Sequence, residues 1–268
     1  FFNRPIRIGP LVIPKRIFLA PLSKLGNVAF RELVSDFGGY GLLFSEMAGS
    51  RGVASGGGPA DSGFMWRKEE LPHLVCQLYG DEPEVMARAA KRVEAEGFAG
   101  VDLNFGCAVA AVCKHNCGAA LLRDPVRAGR IVSAVRKAVS LPLFVKYRTG
   151  WRDDVAAASD MARRFADEGA DALTFHPRVA PDRRTRQPKW AYTGRVKSAV
   201  SIPVFGNGNL FDIRDCEKMV TETGCDGVAG ARLASAPPWV FPQRSEGFVP
   251  GPEVYWRAAF LPTGRRSH

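Results

Sequence analysis

Gly100-Val101-Asp102-Leu103-Asn104-Phe105-Gly106-Cys107 is an apolar run that ends on an amide, a glycine and a thiol. It opens a glycine- and cysteine-bearing loop that closes at Gly118-Ala119-Ala120-Leu121-Leu122. A thiol beside a polar amide, just past the C-terminal end of a buried strand, stands where (β/α)8 enzymes gather their reacting groups. The stretch therefore predicts a barrel with chemistry at its mouth.

On both sides of it, apolar runs alternate with amphipathic ones, the pattern of repeated βα units around a parallel sheet. Eight strands are expected, at Ile17–Ala20, Leu42–Ser45, His73–Leu78, Gly100–Asn104, Leu143–Tyr147, Ala172–His176, Pro203–Gly206 and Gly227–Gly230. Helices fit between them. Glu82–Glu96 places Val85, Ala89 and Val93 on one face, and Val126–Val139 does the same with Ile131, Val135 and Val139. Ile6–Ile13 reads as a short hairpin across the bottom of the barrel. Ser55-Gly56-Gly57-Gly58-Pro59 reads as a flexible loop on the catalytic side. The 268 residues suit a single barrel, which typically takes about 250. The expected fold class is α/β: a TIM (β/α)8 barrel with an N-terminal hairpin over residues 1–241, then a tail, 242–268, with room for one short helix near Glu253–Phe260.

A hydrophobic fraction of 46% and a charged fraction of 24% are those of a globular protein. No apolar run approaches the roughly 20 residues of a membrane span, and no signal-peptide pattern stands at Phe1. No membrane partner and a cytoplasmic location are expected. Lys and Arg outnumber Asp and Glu by 37 to 27, a net charge of +10, which points to a polyanion, nucleic acid first, with a solvated basic surface as the equal alternative. The six cysteines are spread through a chain with an ample core, so reduced thiols are expected.

Polar residues mark successive strand ends: Gln77, Asn104 with Cys107, Lys146 with Arg148, His176 with Arg178, and Asn207. A buried strand has no use for a lysine unless it meets an anion, so Lys146 in Leu143-Phe144-Val145-Lys146-Tyr147-Arg148 calls for an anionic partner. Gly206-Asn207-Gly208-Asn209 and Gly230-Ala231-Arg232 fall in the seventh and eighth βα loops, where this fold builds phosphate sites from backbone amides. Either alone reads as an ordinary turn; together, downstream of Lys146, they read as a phosphate cradle. Cys76, Cys216 and Cys225 read as core residues.

The chain resembles the tRNA-dihydrouridine synthase family, flavin-dependent barrels that reduce uracil in RNA. The resemblance is carried by Ala20-Pro21-Leu22, Phe30-Arg31, Ser45-Glu46-Met47, Gln77-Leu78-Tyr79-Gly80, Asp102 to Cys107, Gly118 to Leu122, Val145-Lys146-Tyr147-Arg148-Thr149-Gly150-Trp151, His176, Gly206-Asn207-Gly208 and Pro238-Trp239, in family order. It implies FMN as cofactor, NADPH as electron donor, RNA, above all transfer RNA, as partner, and reduction of the C5=C6 bond of uridine. It further implies Cys107 as the catalytic proton donor and Asn104 and Arg178 as substrate contacts. Cofactor contacts are implied for Ala20, Pro21, Leu22, Gln77, Lys146, His176, Asn207, Gly208, Gly230, Ala231 and Arg232. A thiol that donates a proton must begin protonated, unlike a nucleophilic one.

The chain departs from the family at three places. Ala108 follows Cys107 where the family has proline, and Val109-Ala110-Ala111 replaces basic residues. Cys113 and Cys117 lie in the same loop around His115, at a spacing that matches no common zinc or iron–sulfur motif, so no metal is expected. An arginine-rich run, Pro177 to Arg186, follows His176, and the chain after Trp239 is too short for the family's helical RNA-binding domain. The alternative function is an FMN-dependent small-molecule ene-reductase related to dihydroorotate and dihydropyrimidine dehydrogenases.

Overall fold

Period-two alternation decides which residues face the barrel interior. In the strand Leu143–Gly150, Leu143, Val145 and Tyr147 join the apolar layer under the helices, while Phe144 joins a separate cluster inside the barrel. Lys146 and Arg148 follow Phe144 on the interior side.

The computed structural model describes residues 1–56, 63–180, 182, 186–231 and 239–245. Strands β1 (Ile6–Ile8) and β2 (Leu11–Ile13) form an antiparallel hairpin. Eight parallel strands close a barrel: β3 (Ile17–Leu19), β4 (Leu42–Gly49), β5 (Leu74–Tyr79), β6 (Gly100–Phe105), β7 (Leu143–Gly150), β8 (Ala172–Val179), β9 (Val204–Gly206) and β10 (Gly227–Gly230), with β10 pairing to both β9 and β3. All eight stand where the sequence places them. Strands β4, β7 and β8 run three to four residues longer than expected, because pairing resumes past an irregularity, Met47 with Gln77 and Gly150 with Val179.

The helices are α1 (Val28–Phe37), α2 (Ser50–Ala54), α3 (Pro83–Ala95), α4 (Ala110–Cys113), α5 (Pro125–Ala138), α6 (Val155–Asp167), α7 (Ala191–Lys197), α8 (Ile213–Thr223) and α9 (Val240–Ser245). Their starts are written locally. Asp124 accepts from the Arg127 N–H ahead of α5, Asp154 from Ala156 and Ala157 ahead of α6, and Asp212 from Asp215 ahead of α8. Among the described residues no helix is long and apolar enough to cross a membrane.

Ile8 and Ile13 of the hairpin pack with Phe18, Phe44, Val75, Phe144 and Phe205 and fill the lower barrel, each side chain contributing about 1.5–3 kcal/mol. Phe18 and Phe205 lie 4.2 Å apart across it. The interior positions above this apolar floor carry polar groups, and these form the candidate site.

Arg31, 2% exposed, holds the loops around one side. It pairs with Glu70 through two contacts of 2.7 and 3.0 Å and donates to the carbonyls of Gly26 and Met65. Trp239, Val240 and Phe241 are buried. The tail beyond 245, with the helix expected near Glu253–Phe260, lies outside the described residues, as do Gly57 to Pro59 of the glycine loop.

Candidate active site

A chain of side-chain hydrogen bonds crosses the barrel top from β5 to β6 and ends on the backbone of Cys107. Asp102, fully buried, accepts from Gln77 Nε2 at 2.6 Å; Gln77 Oε1 accepts from Asn104 Nδ2 at 2.9 Å. Asn104 Oδ1 accepts from the N–H groups of Gly106 (3.1 Å) and Cys107 (2.9 Å). The asparagine thus ends the strand by capping the loop with its own side chain. Only an amide serves here, because the position must donate to Gln77 and accept from the loop. Both Gln77 and Asn104, expected to meet cofactor and substrate, have these hydrogen bonds to each other and to the protein first.

Gly118 closes the loop. Its φ is +62°, and a Cβ there would lie 2.5 Å from the Cys107 carbonyl oxygen, so only glycine fits. Ala119 N–H then donates to that carbonyl at 2.9 Å. Cys113 donates to the same oxygen at 3.4 Å, and Cys117 to the His115 carbonyl at 3.2 Å. Burial raises the Cys117 thiol to about 11 and holds Cys113 above its ordinary value. Both stay protonated at neutral pH. Cys76, Cys216 and Cys225 are buried in the core as the sequence predicts.

Lys146 sits one layer above Phe144, opposite Asn104 in register. Among the described residues its ammonium makes no hydrogen bond and no ion pair within 4 Å. Burial, then the charge of Arg148, lower its pKa, while Asp102 and Cys107 oppose the fall. Burial raises Asp102 in turn, against the Gln77 hydrogen bond and the Lys146 charge. Arg148 is lowered by burial and then by the neighbouring Arg178. It donates to the Asp182 carbonyl at 3.4 Å, and Arg178 donates to Asn209 Oδ1 at 3.1 Å. Lys146 and Arg148 therefore both stand near Cys107, with Arg178 next to Arg148, a grouping of cations that favours an anion.

The other half of the rim is backbone-rich. The His176 ring lies over Gly208: at φ +109° a Cβ on Gly208 would meet its Cδ2 at 2.8 Å. Trp190 Nε1 donates to the Gly208 carbonyl at 2.9 Å, and Asn207 Nδ2 to the Ala229 carbonyl at 2.5 Å. Ala20 N–H donates to the Gly230 carbonyl at 3.0 Å, which sets Ala20-Pro21-Leu22 beside Gly230-Ala231. The structure brings all of these to one end of the barrel. Arg232 lies outside the described residues.

Sequence reasoning noted Arg148 only as a strand-end polar residue and gave Asp102 no role. Counting by two from Phe144 and from the buried Asp102 would have put both inside the barrel.

The dihydrouridine synthase family model matches residues 18–256. The chain belongs to this family. It is 34% identical over 238 residues to a Rickettsia prowazekii protein named "Probable tRNA-dihydrouridine synthase", covering 89% of this chain and 72% of the relative. It is 34% identical over 236 residues to tRNA-dihydrouridine synthase B of Pseudomonas aeruginosa, covering 88% and 70%. Among solved structures, morphinone reductase in complex with tetrahydroNAD matches with a TM-score of 0.65 at 14% identity, over 95% of this chain and 93% of that one. A 2-naphthoyl-CoA reductase complex matches with a TM-score of 0.68 at 15% identity, over 92% and 52%. At such identities the likeness is one of fold.

Proposed function

We propose that this dihydrouridine synthase reduces the C5=C6 bond of uridine in RNA, transfer RNA above all, with FMN as its cofactor, NADPH as the electron donor and Cys107 as the proton donor. The observation that carries the reading is the Lys146 ammonium, held on the barrel interior with no hydrogen bond among the described residues and facing the Cys107 loop.

The residues present fit a flavin mononucleotide. An ammonium free to donate suits its anionic ring edge. Gly208 carries no side chain under the His176 ring, and Asn207 is pinned to Ala229, which suits a phosphate approached by backbone. Ala20, Pro21, Leu22, Gln77, Lys146, His176, Asn207, Gly208, Gly230, Ala231 and Arg232 are the proposed holding set. When bound, FMN supplies the hydride for uracil C6.

The protein supplies the rest. Cys107 gives its thiol proton to C5: the S–H bond breaks as the C–H bond forms, and the thiolate regains a proton from water. Asn104 fixes where that thiol stands through two backbone anchors. Arg178, 6% exposed and oriented by Asn209, holds the uracil or its phosphate. A cytoplasmic location goes with such a substrate.

The purified protein is expected to show flavin bands bleached by NADPH and to form dihydrouridine in unmodified transfer RNA. Cys107→Ala keeps the bleaching and slows RNA reduction by about 10²–10⁴-fold, the usual weight of a general acid. Equal reduction of free uracil and RNA, or full activity in C107A, refutes the reading.

A further inference from the structure

Beside the Cys107 loop a cavity of about 500 Å³ opens between β7, α5 and α6. Arg123, Arg148, Thr149, Trp151, Arg152 and Met161 line it. We propose that this cavity is a second nucleotide subsite, which seats the phosphate and base of an RNA residue neighbouring the target uridine; the inference rests on the function proposed above.

Three features point to a ligand. Thr149 is 5% exposed, and its buried hydroxyl has no hydrogen-bond partner among the described residues, a cost that a bound acceptor would remove. Arg123 lies 3.5 Å from the Trp151 ring centre, an arrangement that presents a fixed guanidinium plane to a base or phosphate. The size falls within the 300–1,000 Å³ or so of small-ligand sites. The carboxylate on the rim, Asp154, is engaged by the Ala156 and Ala157 N–H groups, so the arginines set the sign of the charge.

The cavity is also tied to the thiol. Trp151 Nε1 donates to the Ala119 carbonyl at 2.6 Å, and Ala119 N–H donates to the Cys107 carbonyl at 2.9 Å. A site joined to the Cys107 loop through Trp151 and Ala119 suits the strand carrying the target base. A reductant must instead enter the interior where Lys146 stands. The net charge of +10 agrees with a polyanion.

The test uses the full chain with flavin bound and measures the Kd for an unmodified transfer RNA transcript across a salt series, and separately flavin reduction by NADPH. In T149V the melting temperature holds or rises, because a buried hydroxyl without a partner is removed, while RNA affinity falls by about three- to tenfold. R152Q lowers affinity about tenfold and takes about 0.7–1 off the salt slope. R88Q, which removes an exposed charge from α3, leaves affinity as in wild type. Unchanged RNA affinity in both T149V and R152Q overturns the inference. A loss confined to the NADPH reaction also overturns it and assigns the cavity to the dinucleotide. A wild-type chain that binds the transcript and forms no dihydrouridine overturns the proposed function instead, and the two variants then judge the subsite alone.

Discussion

Asn104→Ala severs the hydrogen-bond chain between Asp102 and Cys107. The wild-type amide accepts from Gly106 (3.1 Å) and Cys107 (2.9 Å) and donates to Gln77 (2.9 Å), all in buried or half-buried surroundings. At about 1 kcal/mol net for each bond, with more for buried partners left unmatched, the loss is about 3–5 kcal/mol. In a chain of this size that lowers Tm by about 6–12 °C at the smaller figure. Single-turnover dihydrouridine formation falls by about 10²-fold as the thiol loses both anchors. Asn104→Asp separates the two functions of the side chain. It keeps the acceptor for the loop but donates to Gln77 only when protonated. Only the protonated form keeps all three bonds, so its contribution is complete at low pH and is lost as the carboxyl ionises. N104D is therefore expected to melt closer to wild type at pH 5 than at pH 8, while N104A shows no such recovery. Thermal melts at both pH values and quench-flow assays of RNA reduction check this. An N104A melting within about 2 °C of wild type, less than 1 kcal/mol in such a chain, refutes the reasoning.

Gly118→Ala places a Cβ 2.5 Å from the Cys107 carbonyl at φ +62°, so a stability loss of at least about 1–3 kcal/mol and slowed RNA reduction are expected; an unchanged melt and rate count against the close approach. Arg31→Met leaves the Glu70 carboxylate buried without its partner and costs about 3–5 kcal/mol by urea denaturation, whereas R31M/E70L recovers much of it; an equal loss in the double variant refutes the pairing argument. Asp102 is held above its ordinary value of 3.8, up to about 7, so the folded state keeps a proton that the unfolded state has released. Unfolding free energy then declines as pH rises through that window, by up to about 1.4 kcal/mol per pH unit, and Asp102→Asn flattens the decline; a variant with the wild-type pH slope sinks the assignment.

The eight strands were legible because each is a short apolar run bounded by turn residues, and a parallel barrel strand must be apolar on both faces. Lys146 stood out for the same reason, as a charge with no place in such a strand. Arg148 and Asp102 were less legible, because their meaning depends on which face the alternation gives them. Asn104 enters as a substrate contact through the resemblance alone; its hydrogen bonds to Gln77 and Met47, which come from two other strands, are not visible in local sequence.

The sequence by itself determined the barrel, the end at which its polar residues gather and the thiol that closes β6. These follow from local pattern and from a connectivity that puts every strand's C-terminal end on one side. Only the tertiary structure decided what those residues do to one another. Gln77 meets Asp102 across 25 positions and Arg148 meets Arg178 across 30, and such contacts are fixed by strand register and closure. The chain thus specifies which groups reach the mouth, and the register specifies that Asn104 is already committed to Cys107 when a substrate arrives.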